Sequence, residues 1–160
     1  MNILFICTGN TCRSFMAEAI LKNILASKGR NDINVYSAGT AAWEGEPGSY
    51  CAVEALGEYA IDACNHRARR LTEQMVEISD IIICMTRLQK RNIITMYPRF
   101  AHKVFTFYEY AYFVDNQEEF ADKEVSDPYG MPIETYRKCI EEIKGLSDKV
   151  FDHISLKPRE

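Results

Sequence analysis

The stretch "NILFICTGNTCRSFMAEAILKNIL", residues 2–25, decides the fold. Its opening, Asn2 to Cys7, is an apolar run of the kind that forms a parallel strand buried on both faces. The period then changes: Met16, Ala17, Ile20, Leu21, Ile24 and Leu25 fall at helical spacing, and Gly29 is a stop signal. Between the two lies "CTGNTCRS", residues 7–14, a short polar loop that places Arg13 six positions after Cys7. A buried strand feeding a helix through such a loop begins an alternating α/β chain.

The rest of the sequence continues the alternation. Ile33 to Tyr36 reads as a second strand, closed by "SAGT" (37–40). A loop, "AAWEGEPGS" (41–49), leads to a helix with Ala52, Val53, Leu56, Tyr59 and Ala60 on one face. "LTEQMVEIS" (71–79) has the form of a short helix capped by Thr72, and "DIIICM" (80–85) that of an interior strand. A further helix runs to Met96 and breaks at Tyr97-Pro98, and "KVFTF" (103–107) supplies a fourth strand. Residues 108–126 carry no clear period. Ile133, Tyr136, Ile140, Ile143 and Val150 trace the stripe of a C-terminal helix. Alternating strands and helices imply parallel crossovers and an α/β sandwich. Ligands of such sheets bind at the carboxyl ends of the strands, where Cys7 lies.

Composition sets limits on the function. The 160 residues suffice for one domain, expected over 1–160. A net charge of −4 and a pI near 5.5 argue against a nucleic-acid partner. No apolar run approaches the roughly 18 residues that span a bilayer. The patch Ile3 to Ile6 is too short for a secretory signal core and lacks a basic leader, so a cytoplasmic location is expected. Six cysteines (Cys7, Cys12, Cys51, Cys64, Cys84 and Cys139) are then expected to remain thiols, most of them filling the core. Their spacing offers no zinc site.

The opening loop has a chemistry of its own. A short connection from a strand to a helix can curl its N–H groups into an anion nest, and the helix adds its positive end. Thr8, Gly9, Asn10, Thr11, Cys12, Arg13 and Ser14 would then cradle an oxyanion above Cys7. Such surroundings favour thiolate over thiol. The planar fork of Arg13 suits two oxygens of a phosphoryl group in transit. The lysine of a nucleotide-binding loop is missing. A thiolate attacking phosphorus needs an acid for the leaving group. Asp127 in "SDPYG" (126–130) is the candidate, held out of any helix by Pro128, with Tyr129 beside it.

"CTGNTCRS" near the N-terminus, "SAGT" after the second strand and "DPYG" some 120 residues after the cysteine together resemble the low-molecular-weight protein tyrosine phosphatases, from Asn2 to about Phe151. The resemblance implies a flavodoxin-like three-layer sandwich with a four-stranded parallel sheet in the order 2-1-3-4 and helices on both faces. The sequence withholds the oligomeric state, and a monomer is the working expectation. The resemblance also implies a mechanism without metal or cofactor. In that mechanism Cys7 is phosphorylated while Asp127 protonates the leaving group, and Asp127 then activates water. Asn10 matches the asparagine that holds the loop in a left-handed shape, and Ser14 the hydroxyl bonded to the thiolate. Ser37 and His66 match the pair that ties the loop down. Cys12 matches a resolving thiol that pairs with Cys7 on oxidation. The basic run Arg67, Arg69, Arg70 reads as a solvated face. Phe15 departs from the family's proline and puts the start of the helix in question.

Thr11 bears on the substrate, a phosphorylated protein. The tyrosine-phosphatase branch of the family usually has an aliphatic residue there, and the protein-arginine-phosphatase branch a threonine. A hydroxyl costs less desolvation beside a cationic guanidinium than a methyl wall does. The stretch from Lys103 to Ala111 also looks more like the arginine branch. Trp43 and Tyr129 would wall the pocket for either substrate. Phosphoarginine is favoured and phosphotyrosine is the alternative. A thioredoxin-coupled arsenate reductase is remote, because Cys84 lacks the partner cysteine that chemistry requires.

Overall fold

Strands β1 (Asn2–Cys7), β2 (Asn34–Gly39), β3 (Ile81–Cys84) and β4 (Val104–Thr106) pair in parallel in the order β2-β1-β3-β4. This is the flavodoxin-like arrangement of four strands expected from the sequence. The computed structural model describes residues 1–112, 120 and 122–155. Residues 113–119 and 121, within the stretch 108–126 left without a period above, lie outside the described residues, as do 156–160 at the end of the expected domain.

Alternation along β1 builds the three layers. Ile3, Phe5 and Cys7 join the core formed with α1 (Arg13–Ser27), α2 (Tyr50–Gly57), α5 (Phe107–Tyr112) and α6 (Ile133–Ser155). Leu4 and Ile6 point the other way, toward Val76 of α3 (Glu73–Ile78) and Ile93 of α4 (Arg87–Met96). Ile3, Leu4, Phe5 and Ile6 are all fully buried, and each such side chain contributes about 1.5–3 kcal/mol. The cap expected at Thr72 is made, and a second one stands at Thr86. Thr72 accepts from the Met75 amide, and Thr86 forms a reciprocal capping box with Gln89.

Several boundaries move. The second strand begins at Asn34 and runs through Ser37, Ala38 and Gly39, so "SAG" is strand, paired with Phe5, Ile6 and Cys7. α2 ends at Gly57, short of Tyr59 and Ala60, because Ala60 turns to φ 57°. β4 stops at Thr106 and Phe107 opens α5. Cys64 is exposed, whereas Cys7, Cys12, Cys84 and Cys139 are buried; burial pushes the thiols of Cys84 and Cys139 up and keeps them neutral.

Candidate active site

β1 is paired on both sides, and its last residue, Cys7, emerges at the carboxyl edge of the sheet. α1 starts at Arg13, with Cys12 at its N-cap and no side-chain cap, so the first amides of the helix face the loop. Phe15 does not disturb this start. It is buried, and its ring stacks on His66 at 4.0 Å between centroids and 17° between planes.

Asn10 organises the loop. Its φ is 57°, the left-handed region that asparagine tolerates better than most residues, and it is fully buried. All of its polar groups are engaged. The amide N–H donates to Cys7 Sγ (3.2 Å), and the carbonyl accepts from His66 Nε2–H (2.7 Å). The side-chain Nδ2 donates to Ser14 Oγ (2.9 Å) and to Ser37 Oγ (2.8 Å). Oδ1 accepts from the Arg69 amide (2.9 Å). Because Ser14 Oγ accepts from Asn10, its own proton is directed to Cys7 Sγ, 2.9 Å away. The sulfur therefore faces one N–H and one O–H.

The tie-down pair read from the sequence, Ser37 and His66, both meet Asn10. Burial lowers the His66 pKa, opposed by its bond to the Asn10 carbonyl, so the ring is held neutral. Beneath Ser37 lies a residue that sequence reasoning missed. Glu18, largely buried on α1, accepts from Ser37 Oγ–H, from Lys22 Nζ (2.5 Å) and from Arg69 Nη2 (3.2 Å). Arg69 is thus not simply part of a solvated face. Its guanidinium neutralises Glu18, its amide holds Asn10, and its carbonyl accepts from the Gly39 amide at 2.9 Å. Gln89 was missed as well. Its Oε1 accepts from the amides of Met85 and Thr86, and its Nε2 donates to Thr8 Oγ1 at 3.2 Å. Gly39 is required by space, since a Cβ there would sit 2.5 Å from the Thr8 carbonyl oxygen.

A cleft of about 310 Å³ opens over the loop, floored by Cys7 to Arg13 and walled by Trp43, Glu46, Asp127 and Tyr129. Trp43 and Tyr129 are 81% and 71% exposed, so they stand as rim walls and not as core. Larger depressions lie behind the loop beside Lys22 and along α4, and neither contains Cys7. The buried Arg13 spans the cleft: Nη1 donates to the Val125 carbonyl and Nη2 to Asp127 Oδ2, both at 3.0 Å. Asp127 Oδ1 accepts from the Tyr129 amide (3.2 Å), which fixes the second carboxylate oxygen. The structure thus brings together a thiol, a loop of backbone amides, an arginine and a carboxyl group.

That set of groups on this fold defines a cysteine-dependent phosphatase. The profile described as low molecular weight phosphotyrosine protein phosphatase matches residues 2–159, and the chain belongs to that family. It is a protein phosphatase of the phosphocysteine type. It is 40% identical over 146 residues to a protein-arginine-phosphatase of Bacillus subtilis, covering 91% of each chain. A solved low molecular weight protein tyrosine phosphatase from T. tengcongensis is 44% identical and superposes with a TM-score of 0.86, over 96% of this chain and 99% of that one. An arginine phosphatase mutant with a phosphorylated active-site serine is 36% identical, with a TM-score of 0.90 over 99% of each chain. No described helix is long and apolar enough to cross a membrane.

Proposed function

We propose that the chain is a cytoplasmic, monomeric protein-arginine phosphatase in which Cys7 is the nucleophile and Asp127 the general acid and base. The observation that carries the substrate preference is Thr11. A hydroxyl-bearing residue lines the cleft where an aliphatic one would suit a phenyl ring, and no aliphatic side chain stands among the walls. Two carboxylates, Glu46 and Asp127, share the rim with two aromatics, a setting that favours a planar cation. The curated relatives named as arginine phosphatases support the same reading. Phosphotyrosine is the second reading, favoured by the 44% identity to a tyrosine phosphatase.

In this reading an arriving phosphoryl group takes the Arg13 fork that Asp127 Oδ2 now holds. The exchange frees that oxygen to take up a proton from solvent and pass it to the leaving nitrogen. Cys7 Sγ forms the S–P bond as the N–P bond breaks, while loop amides and Arg13 hold the equatorial oxygens. Asp127, now a carboxylate, takes a proton from the water that attacks the phosphocysteine, and the Cys7 thiolate leaves. Cys12 serves as the resolving thiol. Peroxide oxidises Cys7 to the sulfenic acid, and Cys12 displaces its oxygen as water to give the disulfide.

The test is kcat/KM for a phosphoarginine peptide and a phosphotyrosine peptide on the same enzyme and on Thr11→Ile. A preference for phosphoarginine that the substitution reverses supports the reading. A preference for phosphotyrosine in the unmodified enzyme overturns it.

A further inference from the structure

Thr11 belongs to a ring of polar contacts that leaves the loop and returns to it. The Thr11 carbonyl accepts from the Ser49 amide (2.9 Å). Ser49 Oγ donates to Tyr136 Oη (3.0 Å), Tyr136 Oη meets Cys12 Sγ (3.4 Å), and Cys12 Sγ meets Thr11 Oγ1 (3.8 Å). The direction of the protons follows from the first bond. Tyr136 accepts from Ser49, so its own O–H faces Cys12, and the Cys12 S–H is left for Thr11. Burial raises the pKa of both Tyr136 and Cys12, so each retains the proton this order needs. Ser49 adds an independent sign. It occupies the N-cap of α2, where a serine ordinarily caps its own helix, yet it makes no side-chain cap and turns its hydroxyl to Tyr136 instead.

We propose that Tyr136 and Ser49 are positioning residues for substrate specificity, orienting the Thr11 hydroxyl through the Cys12 thiol. Held by the thiol on one side, Thr11 Oγ1 keeps a lone pair and its own proton for the cleft. The lone pair suits an N–H of the leaving guanidinium and has no counterpart on a phenyl ring. The same ring fixes the Thr11 carbonyl, so rotation of the residue as a whole is opposed at both ends. This inference rests on the reading of Thr11 as the substrate filter, and its test separates the two.

The experiment measures the ratio of kcat/KM for a phosphoarginine peptide to that for a phosphotyrosine peptide. The proteins are the unmodified enzyme, Tyr136→Phe, Ser49→Ala, Ser49→Thr, Thr11→Val and the Thr11→Val/Tyr136→Phe double variant. Loss of one orienting hydrogen bond should lower the ratio about fivefold in Tyr136→Phe and in Ser49→Ala. Ser49→Thr, which keeps the hydroxyl, should restore it, and Tyr136→Phe should have no further effect once Thr11 is valine. A ratio lowered by Thr11→Val but unmoved by Tyr136→Phe and Ser49→Ala overturns this inference and leaves the filter standing. A ratio that none of the variants moves overturns both. A Tyr136→Phe effect that persists in the Thr11→Val background also overturns it, because Tyr136 would then act by another route.

Discussion

Replacing Asn10 by alanine removes three buried side-chain hydrogen bonds, two from Nδ2 and one to Oδ1. At about 1 kcal/mol net for each, the bonds contribute about 3 kcal/mol. Solvent cannot replace the lost partners, because Asn10, Ser14 and Ser37 are all fully buried. Alanine must also hold φ 57°, a conformation that costs an L-residue about 1 kcal/mol. Asn10→Ala should therefore lower the unfolding free energy by about 4 kcal/mol, and Asn10→Gly, which accepts that φ freely, by about 3 kcal/mol. Activity should fall in both, because Ser14 loses the donor that turned its proton toward Cys7; a tenfold or greater drop in kcat is the expected scale. Urea unfolding followed by circular dichroism gives the first quantity, and turnover of an aryl phosphate by the same preparations gives the second. An alanine variant within about 1 kcal/mol of the parent, or one more stable than the glycine variant, would refute the account of Asn10.

Other expectations follow from the same site. Gly39→Ala forces a Cβ to within 2.5 Å of the Thr8 carbonyl oxygen and 3.0 Å of the Asn10 amide nitrogen, both backbone atoms. It should cost about 2 kcal/mol and at least tenfold in kcat/KM, and urea melts with unchanged midpoint and rate would contradict it. His66 has its pKa lowered from 6.5 by burial, so the unfolded chain takes up its proton first as the pH falls. Its contribution to stability is therefore complete above pH 6.5 and declines below it; the difference between the parent and His66→Gln in urea melts from pH 8 to pH 5 should show that slope. Cys12→Ser should convert peroxide inactivation from one that dithiothreitol reverses to one that it does not. Full recovery of the serine variant would remove Cys12 from the resolving role.

Local signals were legible in the sequence and distant partnerships were not. The apolar run before Cys7, the cap at Thr72 and the break at Tyr97-Pro98 act within a few residues, and each is where the sequence places it. The end of β2 was misread because Ser37, Ala38 and Gly39 look like turn residues. They are small because the loop after Cys7 packs on them, a fact that lies thirty residues away. Glu18 lies outside the apolar stripe that the sequence shows for this helix, and only its contact with Ser37 and Arg69 shows it to be a buried anchor. Arg69 was read as solvated because its neighbours are basic, while the feature that matters is its backbone, which bonds Asn10 and Gly39. Tyr136 marks a helix stripe in the sequence, and nothing local reveals that its hydroxyl reaches Cys12 and Ser49. A glutamine two residues into a helix is an ordinary capping residue, and the reach of Gln89 to Thr8 is likewise a property of the assembled sheet.

Cys7 sits at the end of an interior strand, paired on both sides, and that position has a consequence for how the enzyme fails. Exchange of β1 amides with solvent requires the sheet to part on two flanks at once, so the opening that releases Cys7 is close to opening of the whole molecule. Partial melting of an edge strand or of a short surface helix would leave turnover intact. Loss of activity under denaturant should then coincide with loss of the fold itself, which makes catalysis a direct reporter of the folded fraction.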